Sequence, residues 1–174
     1  MAERNNKTCA FFGHRNAFID SSKYKEIECT IEKLIVNFKI NIFLFGSRSK
    51  FDDVCLKIVS QLKIKYPYII RKKYTCLSEA CILEEDKGRW EDIYKKVGFN
   101  INEIAVYDEE VHFKDKLKAG ALSYIKRNYS MIDNSDICVF YYSENYVPKP
   151  NSNSGTKIAY NYAKRKKKIL INLI

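Results

Sequence analysis

Short apolar runs alternate with segments of helical periodicity along most of the chain. The runs are rich in β-branched and aromatic residues and are bounded by glycine or polar residues, a pattern typical of strands inside a parallel sheet. The run at 68–74 (YIIRKKY) is less apolar than the others and is therefore expected nearer an edge of the sheet. The predicted strands are residues 8–13, 41–45, 68–74, 103–107, 136–142 and 169–173.

Apolar residues between these runs recur at the spacing of one helical face. Capping side chains at residues 20–22 precede the first helix, and the spacing of Ser49 and Asp52 resembles a capping box before the second, which ends before Pro67. A short helix is also expected at 91–96. The predicted buried faces are Ile27, Ile31, Leu34, Ile35 and Phe38; Val54, Cys55, Ile58, Val59 and Leu62; Leu117, Ala121, Ile125 and Ile132; and Ile158, Ala159, Tyr162 and Ala163.

The alternation of strands and helices predicts an α/β fold of the Rossmann-like, three-layer kind. Strand–helix–strand units favour a mostly parallel sheet with helices on both faces. No internal repeat, low-complexity tract or clear linker interrupts the pattern, so we expect a single domain over residues 1–174.

The composition narrows the class of protein. Hydrophobic residues make up 46% and charged residues 30% of the chain, as in globular proteins. No apolar run approaches the roughly 20 residues of a membrane span, and the polar start MAERNNK does not resemble a signal peptide, which predicts a cytoplasmic protein without membrane contact. The cysteines lack metal-ligand spacing and are expected to be reduced, so neither a metal nor a cofactor is predicted. They are Cys9, Cys29, Cys55, Cys76, Cys81 and Cys138.

The formal net charge of +10 is compatible with binding to nucleic acid or to phosphorylated small molecules, and also with solubility alone. The basic residues cluster at 71–73 and at 164–168. The second cluster closes a helix, where solvated lysines are expected in any case. Because these residues do not alternate with an aromatic platform in the sequence, single-strand binding is the weaker alternative.

Three predicted turns after strands combine glycine with polar residues. The carboxyl ends of parallel strands meet at one edge of a sheet, where ligands of such folds bind. Glycine permits close approach of the backbone, the first N–H groups of a helix attract anions, and arginine can bind phosphate through two N–H groups. The turns therefore predict a phosphate-binding site, against the alternative of ordinary surface turns and a helix cap. They are Gly13, His14 and Arg15; Gly46, Ser47 and Arg48; and Ser154, Gly155 and Thr156.

Three segments also carry a family resemblance. TCAFFGHR at 8–15, RNYSMIDNSD at 127–136 and SGTKIAYNYAKRK at 154–166 resemble, in this order, the SLOG superfamily, and more narrowly its YpsA-like branch of bacterial proteins. The resemblance implies a Rossmann-like fold with a pocket for a nucleotide or a nucleotide-derived ligand such as an ADP-ribose-like molecule. Homodimers are common in the superfamily. By the resemblance, the pocket residues are Gly13, His14, Arg15, Gly46, Ser47, Arg127, Asn128, Gly155 and Thr156.

Some relatives in the superfamily are enzymes that cleave N-glycosidic bonds with a glutamate in a PGGxGTxxE motif. In this chain Ala159 stands where that glutamate would be, which weakens the transfer of the activity but not of phosphate binding. His14 and Glu144 are the candidate catalytic residues if a reaction takes place, and Asp52 is a further carboxylate near the predicted edge. The sequence thus leaves three functions open, in decreasing order of support: a nucleotide-binding sensor or carrier, an N-glycosidase or nucleotide hydrolase, and a nucleic-acid-binding protein.

Overall fold

Six parallel strands form one sheet, and five of them correspond to predicted apolar runs. The computed structural model describes residues 5–46, 49–76, 107–113, 121–146 and 154–174. The strands lie in the order β4-β3-β2-β1-β5-β6. Their bounds are β1 Lys7–Gly13, β2 Ile40–Phe45, β3 Ile70–Cys76, β4 Glu109–Phe113, β5 Ile137–Tyr141 and β6 Ile169–Asn172. In the described part of the chain the helices are α1 Ser21–Val36, α2 Lys50–Lys65, α3 Ala121–Asp133 and α4 Gly155–Arg165.

Strands β1, β2 and β5 form the centre of the sheet because they are apolar on both faces. Side chains of a strand alternate between the two faces, and here each face meets a pair of helices. Phe11 and Phe43 pack with α1 and α2 on one face, whereas Phe12 and Leu44 pack with α3 and α4 on the other. The sheet is therefore the middle of three layers, and the predicted Rossmann-like class is confirmed.

The predicted elements agree with the structure except near the outer strands. The strand predicted at 68–74 begins two residues later, at Ile70. The strand predicted at 103–107 and the helix at 91–96 lie outside the described residues, apart from Tyr107, which precedes β4. Strand β4 itself (EEVHF) was missed because its alternating, acidic sequence lacks the apolar run of a buried strand.

Helices α1 and α2 each begin directly after a capping residue. The Asp20 carboxylate accepts a hydrogen bond from the backbone N–H of Lys23 at 2.8 Å, and the Ser49 hydroxyl accepts one from the N–H of Asp52 at 2.9 Å. Both positions match the expected N-caps. The predicted buried face of the first helix holds except at Phe38, which is 46% exposed because α1 ends at Val36. None of the described helices is long and apolar enough to cross a membrane.

Gly13, at the end of β1, is required by packing. A Cβ atom added there would lie 2.4 Å from the Cβ atom of Phe51, a fully buried residue in the first turn of α2. The Phe51 ring also stacks on Tyr141 of β5, with centroids 5.5 Å apart. The absence of a side chain at Gly13 therefore lets the start of α2 approach the ends of β1 and β5.

We expect Gly13→Ala to destabilise the fold by about 1–3 kcal/mol, because the added methyl group meets an atom next to the α2 backbone that cannot rotate away. Chemical denaturation of the two proteins measures the change. Gly155→Ala is the matched control, since a Cβ atom at Gly155 meets nothing within 4 Å. This variant should be neutral or more stable by about 0.5–1 kcal/mol. Equal effects at the two glycines would contradict the packing argument.

Candidate functional site at the carboxyl edge of the sheet

The order in which the chain adds strands to the sheet reverses at β1. It proceeds outward from β1 through β2, β3 and β4, and then returns to add β5 and β6 on the other side. Ligands of such sheets bind beyond the carboxyl ends of the strands at this reversal. We call the ends of β1, β2 and β5, together with the start of α4, the carboxyl edge.

His14 lies at the centre of the carboxyl edge and is only 3% exposed. Its Nε2 atom accepts a hydrogen bond from the backbone N–H of Ser143 at 3.0 Å, so the hydrogen of the neutral ring is on Nδ1. Nδ1 has no hydrogen-bond partner within the described residues. Burial lowers the pKa of His14 below its ordinary value. The ring is therefore a neutral imidazole that can donate one N–H to a ligand.

Tyrosine rings flank His14 and connect it to α4. The His14 ring stacks on Tyr146 with centroids 3.8 Å apart, and Tyr142 lies 5.7 Å away. Tyr142 in turn contacts Tyr160 of α4, at 4.8 Å. We call His14, Tyr142 and Tyr146 the aromatic wall. The sequence prediction missed the two tyrosines of this wall, although Tyr142 directly follows β5 and Tyr146 lies in the turn after it, at the predicted ligand edge.

Arg127 places a buried positive charge at the end of β2. The residue belongs to α3 and is 4% exposed. A Cβ atom added at Gly46 would lie 3.2 Å from its Nη2 atom, so the missing side chain of Gly46 makes room for the guanidinium group. Nη2 also donates to the Asn128 side-chain oxygen at 3.4 Å, and the guanidinium carbon lies 5.3 Å from the centre of the Tyr124 ring. Because arginine does not lose its proton in proteins, this charge is fixed.

Asp52 is a buried carboxyl group in the first turn of α2. Its Oδ1 atom has no hydrogen-bond partner within the part of the chain that the structure describes. Burial raises the pKa of Asp52 to about 7, with a further contribution from the charge of Asp53, while the Ser49 hydroxyl and the Arg127 charge act in the opposite direction. The group is therefore partly protonated near neutral pH, which the interpretation of Asp52 as a helix cap did not anticipate.

The starts of α2 and α4 differ in their capacity for an anion. In α2, the N–H of Lys50 donates to the Arg15 carbonyl oxygen at 3.1 Å, and the first turn already holds two acidic residues, Asp52 and Asp53. The first turn of α4 holds no acidic residue, and a Cβ atom at Gly155 would meet no described atom within 4 Å, although the Ser154 hydroxyl already accepts a hydrogen bond from the Lys157 N–H at 3.4 Å. A phosphate group is thus better accommodated at the start of α4, where backbone N–H groups lie at the positive end of the helix dipole.

The structure brings only some of the predicted site residues together. Gly13, His14, Gly46, Arg127, Ser154 and Gly155 all lie at the carboxyl edge. Arg15 is exposed in the turn after β1, and Glu144 is exposed in the turn after β5. Asn128 and Thr156 are half-buried on α3 and α4, whereas Ser47 and Arg48 lie outside the described residues. The described residues contain no group of three or more metal-ligating side chains.

The fold is shared with a DNA-binding protein. No family model and no curated protein matches the chain. Its structure is similar to that of DNA processing protein A from Helicobacter pylori, which was solved for its single-stranded DNA binding mode, with a TM-score of 0.57 and 14% sequence identity. The similarity covers 95% of this chain and 64% of that chain, so this chain spans less than two thirds of its length. At this identity the comparison establishes the fold.

We expect Asp52→Asn to change the dependence of stability on pH. The folded state raises the pKa of Asp52 to about 7 from an ordinary 3.8, so it binds more protons than the unfolded state between these values. The contribution of Asp52 to stability is therefore complete below pH 4 and lost as the pH rises through 7, by up to about 1.4 kcal/mol per pH unit.

Denaturation of both proteins between pH 4 and 8 measures this effect. The variant should gain stability relative to the wild type as the pH rises, and the difference should level off above the pKa of Asp52. A difference that does not vary with pH would mean that folding leaves the pKa of Asp52 unchanged, and it would contradict the burial argument.

Proposed function

We propose that this chain is a SLOG-type protein that binds a nucleotide or a nucleotide-derived ligand at the carboxyl edge and acts as a sensor or carrier. The observation that carries the proposal is the convergence of three kinds of anion or base recognition at this edge. They are the start of α4 at Gly155, whose first turn holds no acidic residue, the buried charge of Arg127 and the aromatic wall around His14.

Each group has a distinct role in this proposal. The backbone N–H groups at the start of α4 bind a phosphate. Arg127 adds a fixed positive charge next to Gly46, where the backbone leaves room. The planar rings of Tyr146 and Tyr142 offer a surface on which a base can stack, as aromatic side chains do in many nucleotide sites. The Nδ1–H group of His14 supplies a hydrogen-bond donor to the same ligand.

Binding is favoured over catalysis because the candidate catalytic groups are poorly arranged for reaction. The lone pair of His14 Nε2 is occupied by the N–H of Ser143. Glu144 is exposed to solvent rather than buried beside the aromatic wall. Ala159, at the position of the glutamate in related hydrolases, has no acid or base group. An N-glycosidase or nucleotide hydrolase is therefore the less supported alternative.

A thermal-shift screen with nucleoside monophosphates, NAD and ADP-ribose tests the proposal. A ligand at about 100 times its dissociation constant should stabilise the protein by about 2.7 kcal/mol. Gly155→Val should abolish the shift, because its side chain fills the space at the start of α4, and Arg127→Gln should weaken it by removing the positive charge beside Gly46. Lys25→Ala, an exposed change on α1, is the control and should bind normally.

Binding that persists in both site variants would show that the ligand does not occupy the carboxyl edge. Chromatography of the same mixtures after incubation distinguishes the alternative function. A binder leaves every nucleotide intact, whereas an N-glycosidase releases free base.

The second candidate function is binding of single-stranded nucleic acid. It is favoured by the structural similarity to DNA processing protein A, which binds single-stranded DNA, and by the net charge of +10. Such a function differs from the first in its dependence on ligand length, since a polymer can contact several sites on the protein and a mononucleotide only one.

A further inference from the structure

A cluster of tyrosine rings lies at the end of the sheet opposite the carboxyl edge, where α3 and α4 end and β5 and β6 begin. The rings of Tyr129 and Tyr162 stack with centroids 3.8 Å apart and an interplanar angle of 12°. The Tyr162 hydroxyl donates to the Asp133 carboxylate at 3.0 Å. This hydrogen bond and the stack fix both rings at the junction of the two helices.

Two cations lie over the Tyr162 ring. The guanidinium carbon of Arg165 lies 5.5 Å from the centre of the Tyr162 ring, and the ammonium group of Lys166 lies 5.3 Å from it. Lys164 is similarly placed at 5.8 Å from Tyr160. The basic residues do not alternate with an aromatic platform in the sequence, but the fold places tyrosine rings next to them. Helical spacing brings residues three and four positions after Tyr162 over its ring, and folding adds Tyr129 from another helix.

The positive charge here exceeds what the fold requires. Residues 145–174 contain seven lysines or arginines and no acidic residue. Lys166 pairs with Asp133 at 3.3 Å, and Lys168 donates to the Asp133 and Ser135 carbonyl oxygens. A helix dipole needs only about half a unit charge at its end. The remaining three cations of the cluster at 164–168 are exposed and form no ion pair within the described residues. They are Lys164, Arg165 and Lys167.

We infer that this amino-end surface, made of Tyr129, Tyr162, Lys164, Arg165, Lys166 and Lys167, binds single-stranded nucleic acid. Phosphates contact the three unpaired cations, and unpaired bases stack with the tyrosine pair, a combination typical of single-strand binding. A duplex offers the same phosphates, but its bases are stacked on one another, so their faces cannot contact the tyrosine rings. The inference deepens the second candidate function and does not depend on a ligand at the carboxyl edge.

The experiment is a titration of labelled oligodeoxythymidylate followed by fluorescence anisotropy at several salt concentrations. The triple variant Lys164→Gln, Arg165→Gln, Lys167→Gln should bind at least about tenfold more weakly at low salt. Its slope of log affinity against log salt should fall by about 2, since each lost contact to a single strand removes about 0.7. Tyr129→Leu should weaken binding about tenfold with little change in this slope, because stacking releases no counterions.

The matched control is the triple variant Lys25→Gln, Lys33→Gln, Lys57→Gln, which removes the same charge from exposed positions on α1 and α2, across the sheet. It should bind nearly as well as the wild type, and thermal melting confirms that all variants are folded. Equal weakening by both triple variants, equal affinity for a duplex of the same length, or no binding at low salt would each overturn the inference. Mononucleotide binding that persists in the Lys164, Arg165 and Lys167 variant would show that the carboxyl edge works independently.

Discussion

The burial of β1 on both faces and along both edges is the constraint on which the rest of the structure depends. The strand pairs with β2 on one side and β5 on the other, and helices cover both of its faces. Its last residue must therefore be small enough for α2 to pass, which explains Gly13 and its contact with Phe51. The residue after it, His14, is buried as well, at the edge where the two halves of the sheet diverge.

Burial also sets the charge at this edge. It lowers the pKa of His14 and raises that of Asp52, so both groups are driven towards their neutral forms near pH 7. Arg127 cannot respond in the same way, because its guanidinium group keeps its proton. Asp53, in the same turn as Asp52, has its pKa raised by burial to about 6 and is mainly ionised at pH 7, so it offsets part of the Arg127 charge. The charge at this edge is therefore set by desolvation and by pH rather than by the number of basic residues in the sequence.

The sequence predicted the sheet well because its central strands are apolar runs that need no partner to be recognised. It predicted the site only in part, because the decisive contacts join distant residues. The Ser143 N–H that fixes the His14 ring lies 129 residues away, and the stack of Tyr129 on Tyr162 joins two helices. Strand β4 was missed for a related reason, since its place in the sheet follows from pairing with β3 rather than from its own composition.

Helix α4 connects the two surfaces that these arguments identify. Its N-terminal end carries the positive pole of the helix dipole and no acidic residue. Its C-terminal end would by itself be a negative pole and would repel anions. The basic residues at 164–168 reverse that sign, because several unit charges outweigh about half a unit from the dipole. This 11-residue helix, about 16 Å long, thereby has positive charge at both ends, which is the sign that both proposed anion-binding surfaces require.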